Sequence, residues 1–87
     1  IRIRAMLLLG KCYDAKNMHD MALRQLEEAN KELIEMNDTK KEILYMIGLL
    51  YEKQGKKGES LAAFQQIYDA EYGYRDVARR VESSYGN

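Results

Sequence analysis

The chain of 87 residues contains no proline and no tryptophan, and only one phenylalanine. Proline is the residue that most strongly interrupts helices, so its absence leaves long stretches free to be helical. Leucine, lysine and glutamate are frequent, whereas β-branched residues are few, and this balance favours helices over strands. We therefore predict an all-α chain.

Cysteine and histidine occur once each, as Cys12 and His19. A single cysteine cannot form an internal disulfide and shows no sign of an oxidising compartment, so we expect a cytoplasmic location. One cysteine and one histidine are too few for a zinc site, and no serine, glycine-rich or aspartate-rich motif accompanies them. We predict a non-catalytic protein without cofactor or metal, and we expect Cys12 to be a small buried thiol.

Charge of either sign is not in excess, because 14 lysine and arginine residues balance 14 aspartate and glutamate residues. This balance argues against a dedicated nucleic-acid surface or an anionic-membrane surface. The longest fully apolar run, residues 5–9, is too short to cross a membrane. The hydrophobic content of 46% is enough to pack one small core.

Two glycines interrupt segments that otherwise have helical periodicity. Gly48 lies within such a segment, and a glycine there costs about 1 kcal/mol relative to alanine, so we expect a neighbouring backbone to approach it closely. The same order of residues occurs 38 positions earlier, around Gly10. The paired positions are Met6 and Leu44, Leu9 and Ile47, Gly10 and Gly48, Tyr13 and Tyr51, Ala22 and Ser60, and Leu26 and Phe64.

This doubled pattern resembles the tetratricopeptide repeat, a helix–turn–helix unit of about 34 residues. The resemblance implies a right-handed α-solenoid of antiparallel helix pairs with about five helices. Its parts would be repeat 1 at 3–37, repeat 2 at 39–73 and a capping helix at 74–85, in one domain spanning 1–87. We expect this domain to be part of a larger protein. Residues 67–81 also resemble the end segment of many bacterial tetratricopeptide repeat proteins.

The helix ends are predicted from local signals. Asn17 is expected to cap the second helix, and Thr39 with Glu42 to form a capping box for the third. Gly73 is expected to end the fourth helix in a left-handed conformation. Because the period of 38 exceeds the usual one by about one turn, we predict that the second helix extends through residues 33–36.

The resemblance also implies a concave groove, lined by the first helix of each repeat, that binds a protein or peptide partner. The residues that would line it are Arg4, Leu7, Lys11 and Asp14 from the first repeat, and Glu42, Tyr45, Leu49 and Glu52 from the second. Its apolar middle would suit an amphipathic helix or an extended segment. A clamp for a C-terminal carboxylate is not expected, because Leu7 and Tyr45 occupy positions where it needs lysine or asparagine.

Two alternatives remain open at this point. Tyr45 either contacts a partner or packs against a neighbouring helix. The chain could also be a structural segment, in which an apolar N-terminal face formed by Ile1, Ile3 and Leu8 drives self-association or stacks on a further repeat.

Overall fold

The computed structural model describes residues 2–85, which form five helices and no strand. The helices are α1 (Arg2–Ala15), α2 (His19–Glu32), α3 (Asp38–Lys53), α4 (Lys57–Ala70) and α5 (Val77–Tyr85). α1 packs against α2 and α3 against α4, while α2 also packs on α3 and α4 on α5. The all-α solenoid is therefore confirmed, and the helices stack in chain order.

The turns inside the two helix pairs have the same geometry. Asn17 has a φ of 61° and Gly55 a φ of 76°, and both precede the start of the second helix of their pair. The N–H of the next residue, Met18 in the first pair, donates to the carbonyl of Tyr13 at 2.8 Å. Asn17 was predicted to cap α2, which is wrong, because Met18 occupies that position and makes no side-chain cap. Asparagine is used here because it tolerates the left-handed region that the turn requires.

The connection between the pairs is a loop. The prediction that α2 extends through residues 33–36 is wrong, because α2 ends at Glu32 and Leu33 adopts an extended conformation. Lys40 donates from Nζ to the carbonyls of Asn30, at 2.9 Å, and Leu33, at 2.6 Å. These bonds satisfy acceptors that the end of a helix leaves unpaired. The residues by which the 38-residue period exceeds the usual repeat length therefore lie in the loop between α2 and α3.

Two further predicted helix ends are also wrong. Asn37 caps α3 by accepting a hydrogen bond from the N–H of Lys40 at 2.8 Å, so Thr39 lies inside the first turn and forms no capping box. Asn37 takes the cap because its backbone is extended immediately before the helix. After α4, the left-handed residue is Arg75, with a φ of 42°, and Gly73 has no positive φ.

Gly10 and Gly48 are positions at which the two helices of a pair pack closely. A Cβ built on Gly48 would lie 2.6 Å from Cζ of Phe64, and one on Gly10 would lie 2.8 Å from Cδ2 of Leu26. Close approach at both glycines is confirmed, but the prediction of backbone-to-backbone contact is wrong, because the neighbour is a side chain in each case. Ser60 adds a buried hydrogen bond from its Oγ to the carbonyl of Gly48 at 2.8 Å.

We expect Gly48→Ala to destabilise the chain by about 1–3 kcal/mol, because the new methyl group overlaps a Phe64 ring that is only 1% exposed. Gly58→Ala is the matched control, since nothing lies within 4 Å of the corresponding Cβ. Urea unfolding followed by circular dichroism measures both variants. Equal stability of Gly48→Ala and the parent chain would contradict this packing.

A tyrosine ties α3 to α2. The hydroxyl of Tyr51 donates to Oε2 of Glu27 at 2.5 Å. This hydrogen bond, together with partial burial, raises the pKa of Tyr51 to about 12. The protonated phenol is therefore favoured by folding.

Because the pKa of Tyr51 rises from 10.0 to about 12 on folding, its contribution to stability is complete below pH 10 and is lost as the pH rises towards 12. We expect the parent chain to be more stable than Tyr51→Phe at pH 9, with the difference shrinking between pH 10 and 12. Urea unfolding of both chains across this range measures the difference, and the subtraction removes the shared titration of lysines. A difference independent of pH would show that this bond does not control the titration.

Candidate protein-binding face

Tyr45 lies between the helices at the centre of the predicted groove. Its side chain is buried, with 8% of the residue exposed. The ring meets Phe64 edge-on, with centroids 5.5 Å apart, and Tyr74 in the same manner at 6.1 Å. Its hydroxyl donates to Oδ1 of Asp76 at 2.6 Å. Tyr45 thus connects α3 to the start of α5 and offers little surface to a partner.

Asp76 is the polar centre of this junction. It accepts hydrogen bonds from Tyr45, from Arg79 Nη2 at 2.7 Å and from Arg80 Nε at 3.1 Å. The hydrogen bond from Tyr45, with support from Arg80, holds the pKa of Asp76 below its usual value despite partial burial. Burial and the same hydrogen bond raise the pKa of Tyr45. The guanidinium of Arg75 lies 4.9 Å from the centroid of the Tyr45 ring and covers it from outside.

Two ion pairs join α1 to α3, and three of their four residues were predicted to line the groove, Lys11, Asp14 and Glu42. Lys11 Nζ lies 3.1 Å from Oε2 of Glu42, and Lys53 Nζ lies 3.1 Å from Oδ1 of Asp14. His19 Nδ1 also lies near the same Asp14 oxygen, at a distance of 3.5 Å. Since the partners lie on successive first helices of the pairs, these predicted residues share one surface.

The surface continues onto α5. Arg80 donates from Nη1 to both carboxylate oxygens of Glu52, at 3.0 and 2.9 Å. Both residues line a pocket of about 310 Å³ between α3, α4 and α5. Arg80 and Asp76 were not predicted, because α5 was interpreted only as a cap. The period could have identified Arg80, which follows Glu42 by the same 38 residues that separate the glycines.

A second pocket, of about 220 Å³, lies at the other end of the surface. Arg4, Leu7 and Glu42 line it together with residues of the loop that follows α2, including Leu33 and Asn37. Leu7 is only 8% exposed, whereas Arg4 is exposed and pairs with no other residue between 2 and 85. This pocket brings three of the predicted residues together.

Exposure divides the eight predicted residues into three classes. Leu49 is half-buried and packs against the edge of the core, so it is the accessible apolar residue among them. Arg4, Lys11 and Glu52 are exposed, Asp14, Glu42 and Leu49 are half-buried, and Leu7 and Tyr45 are buried. The surface is therefore more polar than the sequence suggested, and the binding role of these residues stays a prediction.

The single cysteine and the single histidine differ in exposure, since Cys12 is exposed and His19 is half-buried beside Asp14. Cys12 is exposed, so the prediction of a buried thiol is wrong. The reason is that its side of α1 carries no packed helix within residues 2–85. The same part of the chain contains no group of three or more histidine, cysteine, aspartate or glutamate residues that could hold a metal ion.

Comparison with known families agrees with the geometry. The family model described as tetratricopeptide repeat matches residues 4–32 and 42–70, which together make up more than half of the chain. The chain belongs to the tetratricopeptide repeat family. No curated protein and no solved structure matches it.

Each matched tetratricopeptide segment covers one helix pair, α1 with α2 and α3 with α4. Repeats of this family are generally protein–protein interaction modules, and the family is typically non-catalytic scaffolding. Within residues 2–85, every helix is too short or too polar to cross a membrane.

We expect Tyr45→Phe to destabilise the tetratricopeptide stack by about 1–3 kcal/mol, because the buried ring keeps its packing but loses a hydrogen bond to a charged acceptor. Tyr72→Phe, at a residue that is 70% exposed, is the matched control and should leave stability unchanged. Thermal and urea unfolding compare the two variants. Equal effects of both substitutions would mean that the Asp76 bond contributes nothing.

Proposed function

We propose that this chain is a protein-interaction module that binds a helix or an extended segment of a partner across α1, α3 and α5. The observation that supports it is the ion pairing between successive helices. One pair joins Lys11 of α1 to Glu42 of α3, and the other joins Glu52 of α3 to Arg80 of α5. The two pairs together connect all three helices. A partner lying across these helices would meet alternating charges of both signs along one continuous surface.

The chemistry of this surface favours a partner that carries both charges and an apolar anchor. Exposed ion pairs contribute only about 0–1 kcal/mol each, so a ligand can replace one with its own charged group at little cost. Leu49 offers the apolar contact, since it is half-buried at the edge of the core. An amphipathic segment would place an apolar side chain on Leu49. Its own charged groups would pair with Lys11 and Glu52 and replace their partners within the chain.

Tyr45 has an indirect role in this proposal. Its hydrogen bond with Asp76 holds α5 beside α3, and so keeps Arg80 next to Glu52. Truncating Tyr45 would disturb the fold as well as the surface. Tests of binding are therefore clearer at Leu49 and at the ion pairs.

We expect the double substitution Lys11→Glu with Glu42→Lys to lower peptide affinity about tenfold or more, because it keeps the intramolecular pair but inverts the charges offered to a ligand. Leu49→Ala should weaken the same peptides to a comparable degree. Peptides selected from a displayed library against the 87-residue chain serve as ligands, and isothermal titration measures their affinity.

The matched control exchanges another ion pair, Arg2→Glu with Glu32→Arg, which joins α1 to α2 at 2.9 Å. It should leave peptide affinity unchanged. Peptides that respond to this control but not to the Lys11 and Glu42 exchange would show that binding occurs elsewhere. Circular dichroism of each variant establishes that it remains folded.

A second candidate function is structural, in which a further helix stacks on the apolar end of the chain. Exposed apolar residues favour it, since Leu8 is 57% and Leu9 44% exposed on α1. Of the residues assigned to this face from the sequence, Ile3 is half-buried and Ile1 lies outside the described residues. Self-association of the chain and stacking on another repeat are the two forms of this candidate.

A further inference from the structure

The pocket of about 310 Å³ between α3, α4 and α5 concentrates positive charge. Of the described residues that line it, Lys57, Arg79 and Arg80 are positive and Glu52 alone is negative. Lys57 is the first residue of α4, whose N terminus has no side-chain cap, so the positive end of the helix dipole lies at the same place. Because the chain as a whole has no excess charge, this concentration is local.

The equivalent positions of the first repeat have the opposite balance of charge. The counterparts of Glu52, Lys57, Arg79 and Arg80, 38 residues earlier, are Asp14, His19, Lys41 and Glu42. Two carboxylates and one lysine therefore stand where the pocket has one carboxylate and three cations. The positive charge of the pocket is thus a property of α4 and α5 and does not follow from the repeat itself.

Arg80 is held rigidly at the edge of the pocket. Its Nε donates to Oδ1 of Asp76 at 3.1 Å, and its Nη1 donates to both carboxylate oxygens of Glu52. Its guanidinium also lies 5.1 Å from the centroid of the Phe64 ring. A donor group fixed in this way loses little conformational freedom when it binds a ligand.

The cations of the pocket have donors to spare. Arg79 uses only Nη2, which donates to Asp76. Between residues 2 and 85, nothing engages Nη2 of Arg80, Nε and Nη1 of Arg79, or Nζ of Lys57. Guanidinium groups with free N–H donors bind the oxygens of phosphate and carboxylate groups in a fork geometry.

The charge count favours a phosphate over a carboxylate. The side chain of Glu52 is 55% exposed, and an exposed ion pair is weak, so an incoming anion can take its place on Arg80. The three cations then face only Asp76, which leaves an excess of two positive charges. A phosphate monoester carries a charge of about −1.5 to −2 at neutral pH and matches that excess, whereas a carboxylate supplies half of it.

We propose that this pocket binds a phosphate group carried by a serine or threonine side chain of the partner segment. The phosphate oxygens accept hydrogen bonds from Arg79 and Arg80, and Lys57 adds a third positive charge. The apolar wall is small, since Phe64 is 1% exposed and Leu61 is half-buried, so a short stem fits better than a tyrosine ring. The inference rests on the proposed function, because Glu52 and Arg80 belong to the ion-paired surface as well as to the pocket.

A peptide library with a fixed central phosphoserine and random flanking residues tests the inference. Peptides selected on the 87-residue chain are synthesised again with serine or glutamate at the central position, and isothermal titration measures the affinity of the three forms. We expect the phosphoserine form to bind at least about tenfold more tightly than the serine form, with the glutamate form between them.

Two variants separate the charge of the pocket from its shape. Lys57→Gln with Arg79→Gln removes two positive charges at exposed residues and should remove most of the advantage of phosphoserine. Ser84→Met, which introduces the residue found 38 positions earlier, fills the pocket without changing its charge and should have the same effect. Lys56→Gln is the matched control, since this exposed lysine is adjacent in sequence but does not line the pocket. The control should change the advantage by about twofold or less.

Free phosphoserine tests the pocket without the rest of the surface. It is titrated into the chain while NMR follows the backbone N–H signals of Gly58 and Ser84. We expect both signals to shift and to saturate in the parent chain, and to stay unchanged in Ser84→Met. Circular dichroism establishes that each variant remains folded.

The inference is overturned if free phosphoserine leaves both signals unchanged, or if the glutamate form binds as tightly as the phosphoserine form. A phosphoserine advantage that survives both pocket variants would also overturn it. Failure of the proposed function looks different, because phosphoserine would then still shift the pocket signals while peptide affinity ignored the Lys11 and Glu42 exchange. Peptides that respond to this exchange but bind equally well with serine and phosphoserine would retain the proposed function and overturn the inference.

Discussion

The packing of one side chain onto one glycine determines the geometry of each helix pair. Phe64 rests on Gly48 and Leu26 on Gly10, at distances that leave no room for a Cβ. Such contact brings the two helix axes close together, and the shared turn geometry sets the direction in which the second helix returns. Because both pairs have the same contact between a side chain and a glycine, the two pairs have similar internal packing.

Tyrosine hydroxyls tie each pair to its neighbour. Tyr51 of α3 donates to Glu27 of α2, and Tyr68 of α4 donates to Glu82 of α5. Tyr45 of α3 donates to Asp76, the residue before α5. Each ring contributes apolar area while its hydroxyl reaches a carboxylate at the edge of the contact. Tyrosine is abundant in this chain and is common at binding surfaces, but these three tyrosines connect neighbouring helices.

Helix ends were the least predictable part of the fold, because a capping residue can have another use and because a residue of another helix can bind the last carbonyls. Asn17 has a side chain suited to capping, but it lies in the turn before α2 and adopts a left-handed conformation there. The N-cap position of α2 is therefore left to Met18. The end of α2 is determined from a distance, because Lys40 reaches back from α3 to its last carbonyls. Where a residue can either cap a helix or form a turn, the neighbouring sequence alone does not predict which of the two it does.

The sequence by itself determined the helix pairs, their repetition every 38 residues and the positions at which successive helices could form a common surface. It could do so because helical periodicity and glycine placement are properties of the local chain. Only the tertiary structure decided that Tyr45 is buried while Leu9 and Cys12 are exposed. The helical periodicity around these positions is the same in both repeats. Their burial depends on which helix packs beside them, and the local sequence does not predict that.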